Sequence, residues 1–119
     1  MATFGDSLRG YAHPTFKRDE FVCRYCGLDG KVWPNWLYLS WDHLLPPGHL
    51  RRNDANYIVA ACRFCNEAAN RTKYSLEHAS GELKSPDELV MQKLPVVQAV
   101  REQYRQFWEA EVRAKSADL

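Results

Sequence analysis

The sequence predicts a small α+β domain, on three observations. Two short strand-like segments lie in the middle of the chain, helical patterns follow the second of them and fill the C-terminal third, and two matched cysteine pairs bracket the strands. With 119 residues, 45% hydrophobic and 13% aromatic, there is material for one modest core and not for two full domains. Lys and Arg number 16 against 15 Asp and Glu, a net charge of +1, with 26% charged residues. That balance excludes a disordered polyelectrolyte and an overtly basic coat protein, and as a total it names no partner.

The elements follow in chain order. Residues 1–20, with Gly5, Gly10, Pro14 and the run Lys17-Arg18-Asp19-Glu20, predict an irregular arm. From Phe21 to Gly27 an apolar segment turns back on itself, with Gly27 available for a positive φ, the form of a metal-binding knuckle. In Leu37–His43, the residues Leu37, Leu39 and Trp41 alternate with Tyr38, Ser40 and Asp42, which predicts a half-buried strand ending before Pro46-Pro47-Gly48. His49 to Ala55 reads as a polar, basic loop, and Tyr57–Ala61 as a second, more buried strand. Asn66–Lys73 predicts a helix with Asn66 and Asn70 four apart on one face.

The C-terminal third is helical. Ser85-Pro86-Asp87-Glu88 is a capping box with proline at the first helical position, so a helix starts at Pro86 and is expected to be interrupted near Pro95. Val97, Val100, Tyr104, Trp108 and Val112, widened by Phe107, form a stripe expected to pack within the molecule, with dimerisation as the alternative. The domain organisation expected is an arm (1–20), a core (21–74) and a helical extension (75–119) in the same compact unit.

Cys23 and Cys26 form one CxxC pair, Cys62 and Cys65 the other, with 35 residues between Cys26 and Cys62. Two residues between thiolates let both converge on one tetrahedral ion from a tight turn. Met1 to Arg9 contain no charged leader followed by an apolar core, so the expected location is cytoplasmic, where metal binding prevails over disulfides. Four thiolates close the shell of a Zn²⁺ ion, and such a zinc is structural. The longest uncharged stretch, Val32 to Trp41, spans ten residues and contains Pro34 and Asn35, so no membrane partner is expected.

Between the pairs, Asp42-His43 closes the first strand, Asn56 precedes the second, and Asn66 follows directly on Cys65. In this order of features, over roughly residues 21 to 74, the sequence resembles the HNH endonuclease family. These are the ββα-metal or His-Me finger nucleases, and the likeness is to members whose nuclease motif lies between two zinc-binding CxxC pairs. The resemblance implies a ββα-metal core and metal-dependent DNA cleavage. It gives His43 the role of general base, places a divalent ion on Asp42 and Asn66, and makes Asn56 the residue that fixes the interstrand loop.

The residue types suit that chemistry. A carboxylate and an amide oxygen are hard ligands for Mg²⁺ or Mn²⁺ that leave positions open for water and phosphate. A neutral imidazole accepts a proton near neutral pH. Asp42 and His43 would face opposite sides of a regular strand, so the backbone is expected to leave the strand there, with Pro46-Pro47 close behind. Asn53 is the alternative to Asn56, and Asn70 is a further candidate for a metal or phosphate contact. Arg51, Arg52, Arg71 and Lys73 flank the motif as candidate contacts to DNA phosphates. His49 reads as a loop or phosphate-contacting residue. Trp33, Trp36 and Trp41 read as core, with base stacking as the alternative.

Two features depart from the family. Pro46-Pro47-Gly48-His49 stands where many members have a Gly-Gly pair, and Ala69 where many have lysine. Residues 1–74 carry 10 basic and 7 acidic residues, and residues 75–119 carry 6 and 8, so the basic excess sits with the motifs. The expected partner is DNA, bound by a monomer, a homodimer or a chain working with a larger protein. The rival expectation is a non-catalytic zinc-binding module for nucleic acid or protein.

Overall fold

The computed structural model describes residues 8–71 and 83–119. Its centre is an antiparallel hairpin of β1 (Leu39–His43) and β2 (Ile58–Cys62), in the register Leu39↔Cys62, Trp41↔Ala60 and His43↔Ile58. β2 is buried along its whole length, as an uninterrupted apolar run requires. Helix α1 (Ala12–Arg18) covers one face: Ala12 and Phe16 pack against Leu39 and Ala60, with Trp41 at the edge. Helices α2 (Arg63–Ala69) and α3 (Pro86–Trp108) cover the other, where Val59 and Ala61 meet Ala68, Ala69, Leu89, Val90, Val97 and Val100. The layers are helix, sheet, helix pair, an α+β arrangement with strand, strand and helix in direct succession.

The arm expected at 1–20 is corrected over its described part: Ala12–Arg18 is helical. Pro14 falls in the first turn, where its missing N–H costs no intrahelical bond, and the fully buried Phe16 fixes the helix to the sheet. Asp19 closes the layer, its carboxylate accepting the Ala60 N–H at 2.8 Å, while Arg18 donates to the carbonyls of Ala55 and Ile58.

The first strand begins at Leu39, after a 3₁₀ turn at Asn35–Tyr38. The strand is half-buried as expected, Leu39 and Asp42 being buried and Ser40, Trp41 and His43 partly so, but its polar face is not solvated. Helices lie on both faces, so the polar residue Asp42 is enclosed rather than solvated. Trp36 and Trp41 pack at the edge of the α1 layer, but Trp33 is 72% exposed and is not core.

Helix α2 starts at Arg63, three residues earlier than expected, because Cys62 is its N-cap and accepts the Cys65 N–H through Sγ at 3.4 Å. Helix α3 is capped as expected, Ser85 Oγ accepting the Glu88 N–H, but it runs unbroken through Pro95. Pro95 and Met91 lie on the solvent face, so the Met91 carbonyl that loses its helical donor remains open to water. The apolar stripe divides. Val97 and Val100 are buried, whereas Tyr104, Phe107, Trp108 and Val112 are exposed where α3 and the π-helical turn after it (Glu109–Arg113) project beyond the sheet. Among the described residues no helix is long and apolar enough to cross a membrane.

Candidate functional site

The four cysteines come together. Cys23 and Cys26 sit on the turn before β1, where an isolated bridge pairs Val22 with Asp29 and Gly27 adopts φ +79°, a conformation that strains any residue with a Cβ. Gly30 passes so close to Phe21 and Leu39 that a Cβ would lie 2.7 Å from the Phe21 carbonyl oxygen and 2.4 Å from Leu39 Cδ1. The Arg24 N–H bonds the Ala60 carbonyl at 2.9 Å, which holds the turn against β2 and so against Cys62 and Cys65 at the start of α2.

All four Sγ atoms lie within 4.8 Å of one another. The Cys26 to Cys62 separation is 3.8 Å, and a tetrahedral zinc with its ordinary bond to sulfur demands an edge of about 3.8 Å. The four cysteines are therefore placed to hold a metal ion such as zinc. Their crowding polarises them: hydrogen bonds from Cys26, Cys62 and Cys65 hold the Cys23 thiol far below its ordinary pKa, and Cys65 is pushed up, chiefly by Cys23. Arg101 of α3 reaches this cluster, Nη1 lying 3.9 Å from Cys65 Sγ, and its guanidinium also stands over the Phe64 ring. A cation at a ligating sulfur is the kind of outer contact that tunes a thiolate site.

A second polar centre lies at the other end of β1. Asp42 has no exposed surface. Its Oδ2 accepts the Tyr25 hydroxyl at 2.6 Å and faces Lys93 Nζ at 3.4 Å, while Oδ1 is buried without a hydrogen-bond partner among the described residues. Lys93 Nζ is also 3.4 Å from the His43 carbonyl. Burial pushes the Asp42 carboxyl up against the pull of Lys93, and burial pulls the Lys93 ammonium down against the pull of Asp42. Burial likewise raises Tyr25, reinforced by Asp42.

His43 remains in the strand, paired with Ile58, and the ladder continues one residue further through the Leu44 N–H to the Tyr57 carbonyl. The expected departure of the backbone at this point does not occur, because the pairing with β2 holds both residues in register. By strand alternation Asp42 and His43 project to opposite faces. His43 is half-buried, and burial and then the Arg52 cation hold its imidazole below the ordinary histidine value. Asn53 of the interstrand loop works against this shift, but more weakly.

Asn56 is placed elsewhere. It is exposed on the 3₁₀ turn Ala55–Tyr57, its N–H bound by Asp54 Oδ1, and it lines a groove with Arg18, Arg24, Arg51 and Asp87. Asn53, the alternative to Asn56, is exposed on the same interstrand loop.

Asn66 is brought to the Asp42 side of the sheet. Its Nδ2 donates to Ser40 Oγ at 3.1 Å and to the Trp41 carbonyl at 3.0 Å, the carbonyl of the peptide that leads into Asp42. With Nδ2 fixed on β1, Oδ1 points outward and accepts Asn70 Nδ2 at 3.2 Å, so the two asparagines act as a pair.

The basic candidates separate. Arg52 lies beside His43 and anchors the loop by donating to the Leu45 carbonyl at 2.6 Å. Arg51 is turned away, held by Asp54 at 2.9 Å and stacked over Tyr57. Arg71 is exposed at the end of α2 and paired with Glu67 at 3.2 Å. His49 stabilises its own loop, Nδ1 accepting the Arg51 N–H. Lys73 lies outside the described residues.

Tyr25, Lys93 and Arg101 are absent from the sequence-derived candidates. Lys93 had a signal: it takes the fourth position between Leu89 and Val97, inside an otherwise apolar helix face. No family model, no curated protein and no solved structure matches this chain.

Proposed function

We propose that the chain is a metal-dependent DNA endonuclease of the HNH type, with a structural zinc on Cys23, Cys26, Cys62 and Cys65. The observation that carries this reading is the hydrogen bond from Asn66 Nδ2 to the Trp41 carbonyl. It brings the first residue after the second CxxC pair beside Asp42-His43, within a strand, strand, helix unit stapled at its far end by the cysteines. The donor set fits a hard divalent ion: Asp42 Oδ1 is a buried oxygen without a hydrogen-bond partner among the described residues, and Asn66 Oδ1 keeps a lone pair beyond its bond to Asn70. When bound, Mg²⁺ or Mn²⁺ would offset charge growing on the phosphate and on the departing oxygen.

The chain's own residues supply the remainder. His43, whose imidazole is held below the ordinary histidine value by burial and by a cation of the interstrand loop, accepts the proton of the attacking water. Arg52, on the same loop, adds positive charge where a phosphate would approach.

The test is a plasmid-nicking assay with Mg²⁺ or Mn²⁺, comparing wild type with His43→Ala. Wild type is expected to nick, and the variant to lose at least about 100-fold in rate while keeping its thermal midpoint. A wild type that binds the plasmid and leaves it intact under both ions sinks the enzyme reading.

One observation favours a second reading, a non-catalytic zinc-binding module for nucleic acid. Asp42 is fully enclosed and its Oδ2 is already matched by Tyr25 and Lys93, as in a buried structural network.

A further inference from the structure

Lys93 is a buried cation on a helix face that otherwise carries Leu89, Val90, Val97 and Val100. Lysine is seldom buried unless it is paired, and here the pair is Asp42, itself without exposed surface. Removing one member of such a pair leaves an uncompensated charge in the interior, so the carboxylate needs a cation close by whether or not any ion is bound. Among the described residues, Tyr25, His43 and Arg52 are the other titratable or charged groups that act on this pair, from the cysteine turn, β1 and the interstrand loop.

The geometry of the pair is loose. A tight charge-assisted bond runs about 2.7–2.9 Å. Lys93 Nζ instead stands 3.4 Å from Asp42 Oδ2 and 3.4 Å from the His43 carbonyl, so its charge is shared, and Oδ1 has no hydrogen-bond partner among the described residues. Its flexible four-carbon stem lets the ammonium shift without moving α3. A divalent ion on Oδ1 would share one carboxylate with that ammonium, and two cations on one carboxylate repel each other.

We propose that Lys93 is a built-in counter-cation that compensates Asp42 in the absence of a divalent ion and competes with that ion for the carboxylate. This rests on the divalent site of the preceding subsection. Lys93 is then a positioning residue that sets how tightly the ion binds. The C-terminal helix thereby communicates directly with the proposed site.

The experiment uses the full zinc-loaded chain with Mn²⁺ as the probe, measuring binding by electron paramagnetic resonance and stability by thermal unfolding. Lys93→Met is expected to bind Mn²⁺ at least about tenfold more tightly than wild type. It should melt lower without Mn²⁺ and gain more from saturating Mn²⁺. Lys93→Arg should restore the ion-free stability, which a loss of mere packing would not explain. Should Lys93→Met fail to fold without Mn²⁺, Asp42→Asn/Lys93→Met removes both charges. That variant is expected to fold and to lose the Mn²⁺ signal, and Mn²⁺ binding retained in it overturns the proposal. Mn²⁺ binding to wild type with equal or weaker affinity in Lys93→Met overturns the role of Lys93 alone and leaves the divalent site standing. Binding to neither protein overturns both.

Discussion

The two polar centres of this molecule both receive a cation from α3, and they differ in how many protein acceptors meet it. At one end Arg101 approaches Cys65, one of four sulfurs converging within 4.8 Å of each other. At the other, two helical turns earlier on the same face, Lys93 approaches Asp42, a single carboxylate steadied by Tyr25. The cysteine cluster has more ligands than any protein cation satisfies, so a metal ion is the natural partner and Arg101 only trims it. The Asp42 centre is nearly balanced by the protein itself. Four converging sulfurs suit a metal ion, whereas at Asp42 the protein supplies the counter-charge itself.

The comparison breaks most severely at the cysteines. Cys65→Ser is expected to abolish stable zinc binding and, with it, cooperative folding, since zinc affinity in small domains of this kind supplies about 10 kcal/mol or more. Metal analysis and far-ultraviolet circular dichroism check this, and a folded, metal-free variant with an unchanged thermal midpoint would remove the cluster from its structural role. Next in size is Asp42→Ala, which strands the Lys93 ammonium in the interior and should cost about 3–5 kcal/mol in chemical denaturation without touching zinc content. A loss below about 1 kcal/mol would mean that the pair is solvated in solution. The smallest effect is expected for Arg101→Met, which keeps the stem and removes the charge. Zinc affinity should fall roughly 10–100-fold by competition with a chromophoric chelator, with the fold retained.

Legibility in the sequence divided along similar lines. The cysteine centre could be read from spacing, because two residues between thiolates constrain the turn wherever the chain goes, and the structure closes the cluster accordingly. The hairpin could be read from period and composition to within two residues at each end, and the capping box located the start of α3 at Pro86. Pro95 misled because a proline is tolerated inside a helix more readily where the carbonyl it frees faces water, and exposure is a tertiary property. Pro14 misled for a related reason, since a proline in a first turn resembles a loop until Phe16 is seen buried against the sheet.

The Asp42 centre was legible only as a list of residue types. That Asn56 lies exposed on a 3₁₀ turn depends on the Asp54 cap in the interstrand loop, whose side chain accepts the Asn56 N–H. That Asp42 is enclosed depends on α3 crossing that face of the hairpin from more than forty residues away in the chain.

What the sequence determined by itself is what local geometry enforces: two CxxC turns, two strands with a helix directly after the second, and a capped C-terminal helix. The tertiary structure alone decided which charges face each other. Burial turns Lys93 from one charge among 26% charged residues into the partner of Asp42, because an enclosed carboxylate must find its counter-charge from whatever element packs over it.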